Sequence, residues 1–187
     1  MRPRKLSKEQ VLLQSAQCFK SYGYTACSMG ILAEACGLSK AAFYYDYPTK
    51  DALVMDMLSM TQLKLRHGIF HALQEQTADP QSQFMQIHQQ AVQFFNFGGL
   101  GCLAGAMSME SRHLPQQINE KLREIFREWQ HAFEAFFSHS FTQSKALDLA
   151  KISVADYEGA ILMARITQDE SYLTLIRDRI LNQLADS

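Results

Sequence analysis

The stretch Gly37-Leu-Ser-Lys-Ala-Ala-Phe-Tyr-Tyr-Asp-Tyr-Pro-Thr-Lys50 holds the residues whose types and spacing best suit chemistry at an anion. The Ser39 hydroxyl is placed to cap a helix by accepting from its unpaired first amides. Lys40, at the start of that helix, is the best candidate for a base-edge or phosphate contact. Ala41 and Ala42 are too small to hydrogen-bond a base, but they can touch thymine methyls and let a helix come close. Tyr45 is placed to reach a nucleic-acid backbone or a base, and Phe43 faces inward as an anchor. Gly37 can take the left-handed conformation that closes the preceding helix. Pro48 ends the short helix, having no N–H to donate and biasing Tyr47 away from the α region. The helix from about Lys40 to Tyr47 is therefore very short. Few physical tasks need one so short; pushing a single turn of side chains into a DNA major groove is one.

With the residues before it, from near Lys8 to near Leu53, this stretch resembles the DNA-binding head of the TetR family of transcriptional regulators. Ser28-Met-Gly-Ile-Leu-Ala-Glu-Ala-Cys-Gly-Leu-Ser39 is similar to the family's second helix and turn. Lys40-Ala-Ala-Phe-Tyr44, Tyr47-Pro-Thr-Lys50 and Ala52-Leu53 are similar to its recognition helix and the start of its fourth helix. The resemblance implies Ser28 as a phosphate-binding helix cap and Tyr44 and Lys50 as phosphate ligands. A hydroxyl beside unpaired amides, a phenol and an ammonium at a helix N-terminus all suit an anion. Tyr47 replaces a buried aromatic of the family and is expected in the core. Three positions depart from the family pattern. Ala41 stands where a glycine is common, Ile31 where a polar residue is common, and Asp46 where His or Tyr is common. A carboxylate near a phosphate is unfavourable, so Asp46 bears on which backbone contacts are kept.

Charge is distributed unevenly. Residues 1–50 carry seven basic and three acidic side chains, net +4, and the remainder eleven and sixteen, net −5. A basic head on an acidic body fits a head that meets a polyanion. No window approaches the length of apolar chain that spans a bilayer, and the basic N-terminus leads into an amphipathic helix, so a cytoplasmic protein with no membrane partner is expected. Cys18, Cys27, Cys36 and Cys102 form no C-x-x-C pair, which argues against a zinc or redox motif. His67 and His71 have metal-compatible spacing but no H-E-x-x-H context, and read as solvated histidines. No metal or cofactor is expected.

The elements that must position these residues are all helical. Four prolines, nine glycines and recurrent three- and four-residue apolar spacing predict about nine α-helices and no strands. Helix 1 is expected from Ser7 to Tyr22, stopped by Gly23, with helix 2 capped by Ser28. Helix 4 is expected from Thr49 to about Gln74 as one rigid lever, and helix 5 from Pro80 to Phe97. After the breaker Gly98-Gly99-Leu100-Gly101, a short helix covers 102–111 and another begins at Pro115. The last two helices cover about 144–168 and 170–184. Their apolar residues lie on more than one face, which predicts a homodimer through a four-helix interface.

The division expected is 1–50 as a helix-turn-helix DNA-binding domain and 51–187 as an effector-binding and dimerisation domain. Helices 4 to 7 are rich in Met and Phe, which suggests an apolar effector pocket. Its candidate lining is Met57, Met60, Phe84, His88, Phe95, Cys102, Met107, Trp129 and Phe133. Cys102, in a glycine-rich turn at an expected helix N-terminus, is a candidate sensor of oxidants or electrophiles. No nucleophile elbow, phosphate loop or paired-carboxylate arrangement supports an enzyme. The function expected is a ligand-responsive transcriptional regulator, most simply a repressor. It would bind a near-palindromic double-stranded DNA operator as a dimer and be released by an apolar or electrophilic small molecule. The alternative is an all-helical small-molecule or lipid carrier that has lost DNA binding, a reading Asp46 favours.

Overall fold

Ser7 opens the first helix with a reciprocal cap: its hydroxyl accepts from the Gln10 amide at 3.2 Å, and its own amide donates to the Gln10 side chain at 2.7 Å. The computed structural model describes residues 6–96, 99 and 101–186, so the Met1–Lys5 arm, Phe97, Gly98 and Leu100 lie outside the described residues. The described residues form nine helices and no strands. They are α1 (Lys8–Ala26), α2 (Met29–Ala35), α3 (Lys40–Asp46) and α4 (Lys50–Leu65), then α5 (Pro80–Asn96), α6 (Leu103–Ser108), α7 (Gln116–Ser138), α8 (Gln143–Thr167) and α9 (Ser171–Ala185). The boundaries of α5, α8 and α9 fall within two residues of the sequence expectation.

Three expectations need correction. Gly23 interrupts α1 at φ 78°, ψ 178°, but the chain resumes a helical turn through Ala26. The lever does not stay α-helical to Gln74. After Leu65 it passes through a π-helical turn, Arg66–Phe70, into a last turn His71–Gln74. Within this wider turn Ile69 and Phe70 are both buried. It also leaves Arg66 free to donate from Nε to the Glu128 carboxylate at 2.8 Å. The short helix after the glycine-rich breaker spans only Leu103–Ser108, and a 3-10 turn follows at Ser111–His113.

The chain packs as two units: residues up to 62 with 103–123, and 63–102 with 124–186. In the first, Phe19, Leu32, Phe43, Leu53, Val54, Met57 and Leu58 have no or almost no exposed surface. Gly37, at φ 59°, closes α2, and the Leu38 amide reaches back to the Ala33 carbonyl at 2.9 Å. Ser39 caps α3, and Tyr47 leaves it in an extended conformation at φ −131°.

The second unit is built on aromatic packing. Phe95 stacks on Trp129 with centroids 5.5 Å apart, and Trp129 and Phe133 both meet Tyr157. One polar pair sits inside: His88 Nδ1 and the Tyr157 hydroxyl are 2.7 Å apart. Helices α8 and α9 pack together through a short turn at Gln168, whose left-handed φ of 58° is accompanied by a 2.6 Å bond from its side chain to the Arg165 carbonyl.

Two stability predictions follow from these cores. Phe43 is fully buried, so Phe43→Ala should cost about 3–5 kcal/mol, read as a fall in the urea midpoint. His88 is pushed down from its ordinary 6.5 to about 4, first by burial, then by Arg177 and against Asp178. The unfolded chain therefore takes up this proton at higher pH than the folded one. Stability should be full above about pH 6.5 and fall by roughly 2–3 kcal/mol as pH drops toward 4. Urea titrations at pH 7 and pH 5 should show this slope in the parent and a flatter one in His88→Gln.

Candidate nucleic-acid interface

The short helix α3 exists because both its ends and its inner face are satisfied. Ser39 Oγ accepts from the Ala42 amide at 3.2 Å, and Phe43 fills the core below. That leaves Lys40, Ala41, Ala42, Tyr44 and Tyr45 on the outside, all exposed. Tyr45 is 89% exposed and Tyr44 47%, so neither phenol is core. Tyr47 is, as expected: it is 5% exposed, and its hydroxyl donates to Asp56 at 3.4 Å. Asp56 also pairs with Lys8 at 2.7 Å, tying α1 to α4.

Ser28 caps α2, its hydroxyl accepting from the Ile31 amide at 3.2 Å. Lys40 leans toward the same place. A Cβ built on Gly30 would lie 3.4 Å from Lys40 Nζ and 3.6 Å from Ser28 Oγ. Gly30 thus leaves room for the lysine, and an ammonium and a capping hydroxyl converge over the first turn of α2. Such a cluster suits a phosphate oxygen better than a base edge. Asp46 ends α3, half-buried, and Ile31 is exposed beside the cap.

Lys50 is held from within. Its Nζ donates to the Tyr24 carbonyl at 2.9 Å and lies 3.8 Å from the centre of the Tyr24 ring. The Tyr24 hydroxyl donates to Asp51 at 2.6 Å. The Tyr24 and Thr25 amides donate to the Glu110 carboxylate at 2.6 and 2.9 Å. Tyr24, Asp51 and Glu110 were not among the sequence candidates. Gly23 marks the break that turns Tyr24 inward, but no local pattern points to a partner 86 residues away.

The candidate effector residues divide between the units. Met57, Met60 and Met107 belong to the first, and Phe84, His88, Phe95, Cys102, Trp129 and Phe133 to the second. All are buried except Met60, which is half-buried. His88 also lines a half-open cavity of about 470 Å³ between α5 and α9, with Arg177, Gln89, Gln93 and Thr174. The Cys102 thiol is hydrogen-bonded to the Glu158 carboxyl, which burial pushes up. His67 and His71 meet edge-on with centroids 5.3 Å apart, and no group of three metal-ligating side chains occurs among the described residues.

Residues 11–57 match the family described as "Bacterial regulatory proteins, tetR family". Residues 82–179 match "Transcriptional regulator LmrA/YxaF-like, C-terminal domain". The chain is 23% identical over 184 residues to the HTH-type transcriptional repressor DhaR of Mycobacterium sp. (strain GP1), covering 93% of this chain and 92% of that one. Its fold is similar to that of a TetR transcriptional regulator from Legionella pneumophila, with a TM-score of 0.85, 21% identity and 98% of each chain covered. A TetR-family regulator from Agrobacterium tumefaciens gives a TM-score of 0.83 at 20% identity, covering 94% of this chain and 96% of that one.

Proposed function

As this chain belongs to the TetR family of transcriptional regulators, we propose that it is a ligand-responsive repressor. In this proposal it binds a near-palindromic operator as a homodimer and is released by a small molecule. The carrying observation is the outward face of α3: Lys40, Ala41, Ala42, Tyr44 and Tyr45 are exposed on a helix anchored from inside by Phe43. Ser28, Ser39 and Lys50 flank that face at helix starts. We assign DNA binding to residues 1–50 and effector binding and dimerisation to 51–187. No chemistry on the substrate is assigned to it, and no helix among the described residues is long and apolar enough to cross a membrane.

Dimerisation is supported by an apolar stripe on the last two helices. Ile152, Leu162, Met163, Ile166 and Leu175 are exposed, Ile166 to 74%. Ile161 and Ile180, also on these helices, are buried within the protomer, so only one stripe needs a second copy. Sedimentation at micromolar concentration should give a dimer, and Leu162→Glu with Ile166→Glu should give a folded monomer. A monomeric parent would rule the interface out.

Operator binding is tested by the salt dependence of mobility shifts on duplexes that the protein selects from random sequence. The two heads of the dimer should sit about 34–36 Å apart, or a multiple of that, in successive major grooves. Lys50→Ala should weaken all sequences alike and lower the salt slope by about one. Lys40→Ala should do the same if it contacts phosphate, and should also shift sequence preference if it reads a base. Unchanged affinity in both variants would overturn this docking. A chain that selects no duplex yet binds apolar ligands would be the carrier instead.

Release by an effector requires differential affinity for two states, typically about 1–3 kcal/mol, and operator DNA must weaken ligand binding by the same factor. An apolar compound should act through the buried aromatic unit. If an electrophile acts through Cys102, Cys102→Ser should keep DNA binding and lose release by that electrophile only.

A further inference from the structure

Glu110 lies between α6 and the 3-10 turn at Ser111–His113. Its carboxylate takes both backbone amides that follow the break in α1, Tyr24 at 2.6 Å and Thr25 at 2.9 Å. Amides just after a helix break have lost their carbonyl partners and need an acceptor from elsewhere. A charged acceptor makes these bonds stronger than neutral ones. The Thr25 side chain first, then the Thr25 and Tyr24 amides and His113, hold the Glu110 carboxyl below the ordinary glutamate range against its partial burial. Gly23 is matched to the clamp twice over. Its φ of 78° and ψ of 178° are open to glycine but strained for other residues, and a Cβ there would run into Glu110 Oε1.

The residue that Glu110 clamps is the one that holds Lys50. The Tyr24 amide faces Glu110, its carbonyl and ring face the Lys50 ammonium, and its hydroxyl faces Asp51. Fixing the amide side of Tyr24 constrains the orientation of its carbonyl and ring. Cys27, at the end of α1, is fully buried. Its thiol is pushed up to about 11, first by burial and then by Cys18, with Lys50 lowering it and Glu110 raising it.

We propose that Glu110 is a positioning residue for DNA binding: by clamping the Tyr24–Thr25 amides it sets the Tyr24 carbonyl and ring that fix the Lys50 ammonium at the start of α4. The proposal rests on the assignment of Lys50 as a phosphate contact. It gives the 103–113 segment, distant in sequence from the head, a direct route to a DNA-contacting charge. Withdrawing that carboxylate leaves Lys50 without its preset position, and DNA must then order the side chain at its own cost.

Charge alone predicts the opposite effect. Removing a carboxylate from the vicinity of a polyanion should strengthen binding, so weakening in a Glu110 variant is diagnostic. The first readout needs no DNA. Mass-spectrometric acylation of Lys50 and hydrogen exchange at Tyr24 and Thr25 should both rise in Glu110→Ala, with circular dichroism showing intact helices. On duplexes selected by the parent from random sequence, Glu110→Ala should weaken binding about fivefold to tenfold. Sequence preference and salt slope should be unchanged, because Lys50 still neutralises its phosphate and only the cost of ordering it rises. In a Lys50→Ala background the same change should have little further effect. Glu110→Gln, which keeps one acceptor, should fall between, and it serves if Glu110→Ala does not fold. Unchanged Lys50 acylation, or additive losses in the double variant, overturns the clamp. If the parent selects no duplex, the regulator proposal fails and the DNA role of Glu110 fails with it, while Lys50 acylation still decides the contact network.

Discussion

A helix as short as α3 cannot stand by itself in water, since nucleation consumes most of what so few hydrogen bonds return. Its seven residues, Lys40–Asp46, are helical because everything around them is already held. Gly37 turns the chain at φ 59°, and Ser39 takes the otherwise unpaired Ala42 amide. Phe43 loses all its exposed surface, and Tyr47 exits in extended conformation as Pro48 requires. The outer face can then be made of small and polar residues that contribute nothing to its own stability. The same constraint gives the face its character: Ala41 and Ala42 leave the backbone close to whatever docks there, and the phenols rise on one side.

The flanking charges are ordered differently. Apolar packing sets the direction of α3, but Lys50 is set by polar contacts with a single residue. Tyr24 offers it a carbonyl and a ring face, and is itself secured by Asp51 and Glu110. An ammonium so held costs less to immobilise on a phosphate than one on a free stem. Lys40 has looser support, lying across Gly30 toward the Ser28 cap. The two lysines therefore approach an anion with different preorganisation, although both sit at helix starts.

In the second unit the organising feature is aromatic packing around one neutral imidazole. Phe84 and Tyr157 pack against the His88 ring, burial first and then Arg177 hold its pKa down to about 4, and its Nδ1 lies 2.7 Å from the Tyr157 hydroxyl. Helices α8 and α9 show a sharper division. Leu149, Tyr157, Ile161 and Ala164 are buried, while Ile152, Leu162, Met163 and Ile166 are exposed on the same helix. An isolated surface does not keep such a stripe without a use for it.

Much of this molecule was legible in its amino-acid order because the signals are local. Ser7 with Gln10, Ser28, Gly37, Ser39 and Pro48 act within one turn, so the caps and boundaries of the first helices could be read directly. Phe43 as the inward anchor and Lys40 and Tyr45 as outward groups were read from the residues, Tyr44 as an outward group came with the family resemblance, and the structure exposes all three outward ones. The π-helical turn at Arg66–Phe70 was not legible, because its adjacent buried pair Ile69–Phe70 resembles Leu53–Val54 and Met57–Leu58, which are buried in ordinary α-helix. Nor did composition separate the Met and Phe candidates, since Met57 and Met107 belong to one unit and Phe95 and Trp129 to the other. The setting of Cys102 depended on Glu158, and that of Lys50 on Tyr24 and Glu110. Sequence alone determined which segments are helices and which face of α3 is turned outward, because backbone dihedrals and side-chain period are properties of neighbours. Only the tertiary structure decided which charges are held, which thiol meets a carboxyl and which histidine stays neutral, because those depend on groups that distant parts of the chain bring into contact.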